Sequence, residues 1–398
     1  VQREGGLSVR YDSAGNLSAI IICYVDDIMV FAKDKSDVEK YIGKIMEKFE
    51  AARMSVAKKD VAGGKQYSFD FIGVDVEMVY AKGKCQSMRF QGEKRIAKIL
   101  AKHGAASTKT RTLPSVQRDR DDWKKFLQAK KPEDRALPPA QASPGDDDLT
   151  PDGDQGVAPD LDCRACIGDL IFLSASCRPD ISEAVGVASR CGYRSIQRRM
   201  LRQILGYLKG TATEGVVWTK GAFAKFKKAY QPYYNKGQGL MPPAALFTDA
   251  SLGTCPKTGR STTGACVVYY GALASWRSKR QAVVALSTPH SESIAACDAI
   301  THAQGIPFLS KILPPRADLH ERCPPVFCDC NPAIMQAQAG FCTPGSKHYS
   351  MRLHFLAEMS DVLNLTPTKL QRADALTKTS THPIMQLLMK GPGINMSY

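Results

Sequence analysis

The stretch Ile22-Cys23-Tyr24-Val25-Asp26-Asp27-Ile28-Met29-Val30-Phe31-Ala32 sets two adjacent carboxylates between two apolar runs. β-Branched and aromatic residues on both sides predict a tight β-hairpin that carries Asp26 and Asp27 at its turn. Acids presented in this way suit Mg²⁺, because proteins hold this cation with one or two carboxylates together with phosphates of the substrate. The alternative is a surface turn that happens to carry two acids.

The composition narrows the classes of protein that this chain can belong to. Its 398 residues suffice for two or three domains with separate cores, and a hydrophobic fraction of 43% is ordinary for a globular protein. The sequence contains no run of about 18 apolar residues, which argues against a membrane span. The start at Val1 lacks Met and a signal peptide, so we expect a fragment or a piece of a polyprotein that is not secreted.

The charge of the chain points to a polyanionic partner. The formal net charge is +15 at pH 7, and nucleic acid is the default partner for such a basic balance. Residues 132–162 go against this trend, with nine acids and one base, so the remainder of the chain is more basic still. A generally basic, solvated surface is the alternative interpretation.

The 13 cysteines are an odd number without a regular framework, which indicates free thiols in a reducing compartment. Cys163-x-x-Cys166 and Cys328-x-Cys330 have the spacing of zinc ligands. Neither pair has a second Cys or His pair at the spacing of a zinc finger, so a structural zinc site stays an alternative.

Local patterns predict the elements of the first half of the chain. Ser36 and Glu39 form a capping box at the start of an amphipathic helix, and Phe69–Glu77 alternates as one strand. Clustered prolines and scarce aromatic residues predict a disordered linker over 112–162. Two further helices have one apolar and one basic face, and they cover residues 94–103 and 196–209.

A second group of acids lies in the last third of the chain. The apolar strands 244–248 and 326–328 end on Asp249 and Asp329. Glu292 lies on a predicted helix over 289–300 with Thr288 as N-cap, and Asp374 follows a strand over 362–366. Acids that converge on one sheet edge can hold two cations about 3.5–4 Å apart for phosphodiester hydrolysis.

Motifs along the chain resemble those of copia-type LTR retrotransposon Pol polyproteins. The stretch around Asp26 and Asp27 is similar to the polymerase signature of their reverse transcriptases, and Cys163–Leu173 with Arg178–Val185 is similar to their connection. The C-terminal motifs resemble those of ribonuclease H (RNase H), and they are Thr248–Ala250, Ser261–Gly264, Ser275–Gln281, Ala285–Glu292, Cys328–Ile334 and Ala373–Lys378.

The resemblance implies an α/β (α+β) fold in four parts. Residues 1–111 would be a partial reverse-transcriptase palm with the hairpin and the thumb, and residues 112–162 an acidic linker. Residues 163–240 would form the connection. Residues 241–398 would be an RNase H-like domain, built as a mixed five-stranded sheet with helices.

The resemblance also implies an activity and its residues. The intact parent would be an RNA-directed DNA polymerase of a transposable element, and the C-terminal domain would cut RNA in RNA·DNA hybrids. Each active site would hold two Mg²⁺ or Mn²⁺ ions. The implied catalytic and metal-binding residues are Asp26, Asp27, Asp249, Glu292, Asp329 and Asp374. The implied nucleic-acid-binding residues are Lys279, Arg280, His348 and Arg352.

The implied partners are an RNA·DNA hybrid, a primer-template and the upstream Pol regions, with no membrane. The implied location is the cytoplasm, in a virus-like particle, or the nucleus. Two other classes stay open, namely a nucleic-acid-binding remnant without turnover and a zinc-stabilised interaction module.

Some positions depart from the pattern of the family. His290 stands where relatives have a Glu, and Cys330 stands where they have an Asn. His348 and His354 fit a family motif, and a histidine there could lie near the scissile phosphate or be structural.

We expect that this chain alone does not extend a primer. Relatives need a third Asp and a template-positioning segment well upstream of the hairpin, and residues 1–25 contain no match to either. A misplacement of about 1 Å can cost about 10²-fold in rate, so a missing ligand should cost more. Primer extension by the chain as it stands, lost on Asp26→Asn, would contradict this expectation.

Overall fold

The structure is a computed structural model that describes residues 2–4, 7–14, 17–32, 34–49, 52–62, 64–105, 108–129, 161–237, 239–304, 323–340 and 346–392. Within these ranges the chain has a mixed α/β fold with three sheets, so the predicted mixed class is confirmed. Most of the predicted linker, residues 130–160, lies outside the described residues.

The first sheet contains the predicted hairpin. Its four strands lie in chain order and are antiparallel, and the last two place Tyr24 opposite Asp27. Val25, at the turn between them, has a φ of 51°. The elements are β1 (Gln2–Glu4), β2 (Leu7–Tyr11), β3 (Leu17–Tyr24), β4 (Asp27–Ala32) and the following helix α1 (Lys35–Lys48).

The predicted capping box of α1 is wrong in position. The helix begins at Lys35 after Asp34, so Ser36 already lies in the first turn and does not occupy the N-cap. Helix α1 still has an acid, Asp37, in its first turn and a base, Lys48, in its last turn, which suits the helix dipole.

The single strand predicted over Phe69–Glu77 is wrong, because the structure has a second hairpin there. Strands β5 (Ala57–Val61), β6 (Gly64–Phe71), β7 (Val74–Ala81) and β8 (Lys84–Gln91) form an antiparallel meander. Ile72 and Gly73 join β6 to β7 with φ values of 55° and 73°. A two-residue loop of type I′ needs positive φ at both positions, and this requirement overrides the alternation of the side chains.

Six α-helices come between β8 and the third sheet in the described part of the chain, and strand β9 between the last two returns to the second sheet. The helices are α2 (Glu93–Lys102), α3 (Gln117–Ala129), α4 (Cys163–Ser176), α5 (Ser182–Arg190), α6 (Arg194–Gly210) and α7 (Ala222–Tyr230). Between α6 and α7, strand β9 (Gly215–Thr219) pairs with β8 and becomes the edge of the second sheet. Regions 1–111 and 163–240 therefore share one sheet.

Helix α3 corrects the prediction of disorder at the start of the linker. Trp123 and Leu127 are four residues apart, so they lie on one face of the helix, and their side chains are only 1% and 7% exposed. Arg199 on α6 holds the helix from the side, with its Nε 2.6 Å from Asp119 Oδ1. The composition averaged over 112–162 hides this short apolar face.

The third sheet has the predicted five strands with mixed directions. Its order is β12-β11-β10-β13-β14, with antiparallel pairing among the first three strands and parallel pairing for β13 and β14. The elements are β10 (Ala244–Ser251), β11 (Thr262–Tyr269), β12 (Ala272–Arg280), α8 (Thr288–Gln304), β13 (Val326–Cys328), α9 (Asn331–Ala339), α10 (Ser350–Glu358), β14 (Leu363–Leu365) and α11 (His382–Lys390).

One buried apolar cluster joins the helical block to the third sheet. It includes Ile96 of α2, Leu201 of α6, Phe247 of β10 and Leu388 of α11. A polar contact crosses the same boundary, because Trp276 Nε1 donates a hydrogen bond to the carbonyl of Ser174 at 2.6 Å. None of the described helices is long and apolar enough to cross a membrane.

Replacement of Trp123 tests whether α3 belongs to this core. Trp123→Ala should lower the free energy of unfolding by about 3–5 kcal/mol, because the large side chain leaves a cavity among buried neighbours. Urea unfolding followed by circular dichroism measures the change. The control Lys124→Ala, on the exposed side of the same helix, should have little effect. Equal stability of both variants would place α3 outside the core.

Candidate metal centre

Parallel pairing brings two of the predicted acids together. β10 is the central strand of the third sheet, and its Leu246 and Phe247 pair with Val326 and Phe327 of β13. Two residues further along each chain come Asp249 and Asp329. Because parallel strands keep a constant register, these acids reach the same edge of the sheet.

Helix α8 supplies the third acid. It begins at Thr288, with Pro289 in its first turn, and packs on β10 and β11. Gln281 fixes this end of the helix to the sheet, since its side-chain amide donates hydrogen bonds to the Ser291 carbonyl at 2.9 Å and to Thr263 Oγ1 at 3.1 Å. Glu292 is thereby directed at Asp249.

Asp249, Glu292 and Asp329 form a cluster that can hold a divalent cation. One ligand oxygen from each residue lies within 4.8 Å of the other two. Among the residues that the structure describes, no other group of three or more possible metal-ligating side chains has its ligand atoms this close together. Asp249 and Glu292 are buried and Asp329 is partly exposed, so the cluster has one side open to solvent.

The electrostatics of the cluster also fit a cation. Burial raises the pKa of Glu292 to about 9, and the negative charges of Asp249 and Asp329 act in the same direction. Burial and the charge of Asp374 raise the pKa of Asp249 to about 6. The cluster offers three carboxylates, and its negative charge is not fully neutralised by nearby cationic side chains. Mg²⁺ and Mn²⁺ prefer such hard oxygen ligands.

Asp374 lies beside the cluster but outside the set of three. It is on a 3₁₀ turn (Arg372–Leu376), and burial raises its pKa although Lys378 opposes this. Lys378 Nζ lies 2.7 Å from Asp374 Oδ1. Thr377, which follows this turn, donates a hydrogen bond to Asp249 Oδ2.

Gly264 lets this turn approach the sheet. It pairs with Asp249 across β10 and β11, and a Cβ there would lie 2.6 Å from Thr377 Cγ2 and 2.7 Å from the Ala373 carbonyl oxygen. The sequence motifs contain Gly264, Thr377 and Lys378 but do not indicate a role for them. The signal was available for Gly264, since glycine in a strand often marks close approach of another backbone.

Two of the histidines meet at the start of α8, two residues before Glu292. His290 Nδ1 lies 3.1 Å from His348 Nε2, and the ring of Tyr349 stacks on His290 with a centroid distance of 4.2 Å. His290 Nδ1 also accepts a hydrogen bond from the Leu286 backbone N–H at 3.2 Å. Burial and the charges of His348 and Arg352 lower the pKa of His290. His354 is exposed on α10.

The remaining predicted site residues are not members of the acid cluster. Asp26 is exposed at the hairpin turn, and within the described part of the chain neither Asp26 nor Asp27 joins a set of three metal ligands. Arg352 pairs with Asp298 at 3.8 Å, and Arg280 Nη1 lies 3.7 Å from Cys255 Sγ.

The cysteine pairs with zinc-like spacing do not form a zinc cluster within the described residues. Cys328 instead lies against the acids, with its Sγ 3.9 Å from Glu292 Oε2.

Comparison with known proteins agrees with the motifs. The chain is 25% identical over 365 residues to the retrovirus-related Pol polyprotein from transposon TNT 1-94 of Nicotiana tabacum. That match covers 90% of this chain and 23% of the polyprotein. The similarity supports a copia-type Pol polyprotein.

Shorter matches cover one third of the chain. Over 141 residues it is 29% identical to the secreted RxLR effector protein 161 of Plasmopara viticola, covering 35% of this chain and 87% of that protein. Over 133 residues it is 31% identical to an uncharacterized mitochondrial protein of Arabidopsis thaliana, covering 33% of this chain and 48% of that protein. No family model and no solved structure matches the chain.

The substitution Glu292→Gln should stabilise the metal-free chain at about pH 8. The pKa of Glu292 is about 9 in the folded state against 4.5 for an ordinary glutamate side chain, so the folded state keeps a proton that the unfolded state releases. The contribution of Glu292 to the free energy of unfolding is therefore full below pH 4.5 and falls as the pH rises toward 9. Urea unfolding in EDTA across this range should show the fall in the wild type and a weaker one in the variant.

The control is Glu358→Gln, at an exposed position of α10, which should keep the pH dependence of the wild type. Added Mg²⁺ should stabilise the wild type most at the alkaline end, where it favours charged carboxylates. An unchanged pH dependence in Glu292→Gln would mean that Glu292 is not buried among like charges.

Proposed function

We propose that the chain is the reverse transcriptase/RNase H part of a copia-type Pol polyprotein, and that its region 241–398 cleaves the RNA strand of RNA·DNA hybrids. The observation that carries the proposal is the convergence of Asp249, Glu292 and Asp329 within 4.8 Å at one edge of a mixed sheet. Along the chain, these acids come in the same order as in the motifs that resemble RNase H. The polymerase function is proposed for the intact parent, with Asp26 and Asp27 as two of its metal ligands.

Asp249, Glu292, Asp329 and Asp374 would hold two Mg²⁺ or Mn²⁺ ions. When bound, these ions would activate the attacking water and stabilise the leaving oxygen of the phosphodiester. Asp249 is the residue that links the four acids, because it belongs to the cluster with Glu292 and Asp329 and the charge of Asp374 raises its pKa.

The neighbours of the acids would orient them. The hydroxyl of Thr377 donates a hydrogen bond to Asp249 Oδ2 and keeps this carboxylate oxygen in place. Lys378 holds Asp374 and supplies the positive charge that lets two buried acids stay close before substrate arrives. Such supporting contacts typically change metal affinity or activity by about 10–100-fold.

Basic residues around the site would supply affinity for nucleic acid. Lys279 is exposed on β12, and Arg280, Arg352 and His348 are partly exposed or at the surface near α8. Contacts of this kind go to phosphates, so recognition would follow the A-like shape of the hybrid rather than its base sequence.

The substitution Asp249→Asn should abolish hybrid cleavage. Purified chain with Mg²⁺ or Mn²⁺ should cut the RNA strand of a labelled hybrid, and the variant should lose more than about 10²-fold in rate because its central ligand is gone. Binding of the hybrid by the variant in EDTA checks that it is folded.

The matched control is Glu358→Gln, which should cut like the wild type. Equal cleavage by Asp249→Asn would contradict the assignment of the site. A wild type that binds hybrid but never cuts it would instead identify a nucleic-acid-binding remnant.

A further inference from the structure

A polar cleft of about 330 Å³ lies between the edge strand β12 and the last turns of α8. The residues that line the cleft come from one face of β12 and one side of α8. Two residues come from alternate positions of β12 and so lie on one face of the strand, and three come from one side of α8. The lining residues are Arg277, Lys279, Asp298, Thr301 and His302.

The cleft has an excess of positive charge. The single acid in its wall, Asp298, is engaged by Arg352, whose Nη1 lies 3.8 Å from Asp298 Oδ1. Among the residues that the structure describes, neither Arg277 nor Lys279 forms an ion pair. Two cations for which the described residues provide no ion pair therefore line a cavity large enough for a ligand group.

The geometry of the donors suits a phosphate. The planar guanidinium of Arg277 can give two parallel hydrogen bonds to phosphate oxygens, and Lys279 adds a mobile ammonium. His302 is held in place, because its Nε2 lies 3.0 Å from Ser275 Oγ. The Thr301 hydroxyl donates to the Cys297 carbonyl at 2.8 Å, which leaves the cations as the main donors.

The cleft lies at a defined distance from the acid cluster. Helix α8 carries both Glu292 and the cleft residues, and at about 1.5 Å per residue Asp298 and His302 lie about 9 and 15 Å along the helix from Glu292. In B-form DNA one strand advances about 3.4 Å along the duplex axis per phosphate, so a separation of this size spans a few nucleotides of one strand.

We infer that this cleft binds one backbone phosphate of the nucleic acid, a few nucleotides from the acid cluster. The inference rests on the proposed function and adds a second, metal-free contact to it. Held at both points, the strand has a fixed register, so the cleft determines which phosphodiester lies at the acids.

Neutral phosphates test the inference directly. Hybrids with a single uncharged methylphosphonate, moved stepwise along each strand, are bound to the full chain in EDTA so that no cleavage occurs. We expect one or two adjacent positions at which the neutral group weakens wild-type binding on the order of 10-fold. The variant Arg277→Gln/Lys279→Gln should bind the unmodified hybrid more weakly and be insensitive to the modification at those positions.

Salt dependence gives a second readout. Loss of one phosphate contact should reduce the slope of log K against log salt by about one in the variant. The matched control is Lys369→Gln, an exposed lysine outside the cleft, which should keep the position-specific effect. Arg277→Lys/Lys279→Arg keeps both charges and should retain most of the binding, which separates lost charge from lost fold.

The source of the phosphate is tested with inorganic phosphate, followed by the NMR signals of the His302 ring. A saturable shift without any position-specific effect of methylphosphonate would identify free phosphate as the ligand and overturn the inference. A flat methylphosphonate profile in a wild type that cuts hybrid would overturn the inference while cleavage stands. A position-specific profile in a wild type that never cuts would support the cleft and contradict the proposed cleavage.

Discussion

Repulsion between the carboxylates that β10 and β13 bring together is the constraint on which the third sheet depends. The parallel register of the two strands brings Asp249 and Asp329 to the same side of the sheet, and α8 adds Glu292 to them. Burying like charges without compensation costs several kcal/mol per ion, and protonation relieves it in the metal-free chain. The pKa of about 9 for Glu292 records that cost.

The surroundings of the cluster can be understood as responses to this constraint. Gly264 removes a side chain so that the turn bearing Asp374 can close on β10, and Thr377 and Lys378 then bring a hydroxyl and a positive charge to the acids. Gln281 ties the start of α8 to β12 and keeps Glu292 from turning away. Apolar packing in the same sheet offsets the unfavourable free energy of the acid cluster. Phe247 and Phe327, for example, stack with their ring centroids 5.1 Å apart.

The sequence predicted elements well where one pattern acted alone, and failed where two patterns competed. The hairpin at Asp26 and the strands that carry Asp249 and Asp329 were predictable because short apolar runs end abruptly at acids. Ile72–Gly73 was missed because side-chain alternation continues through a two-residue turn, and only backbone φ distinguishes the two. Helix α3 was missed because the polar residues around Trp123 dominate its composition.

The candidate site was predictable as a set of acids but not as an arrangement. The order of the motifs implied four carboxylates, and the fold brings three of them together while Asp374 lies outside that set. Likewise the contact of His290 with His348 joins residues 58 positions apart. No local pattern encodes such a contact, because it depends on how α8 and the start of α10 pack.

The apolar cluster shared by the helical block and the third sheet has a consequence for inheritance. Ile96, Leu201 and Leu388 belong to one core, so each region is shaped to fit a partner surface that another region supplies. Recombination between two diverged homologues of this chain at a point near residue 240 would join surfaces that no longer match, and the resulting chain would contain cavities or clashes. The piece of this chain that can be exchanged intact is therefore larger than the part that bears the acids, and it includes the helices from α2 onward.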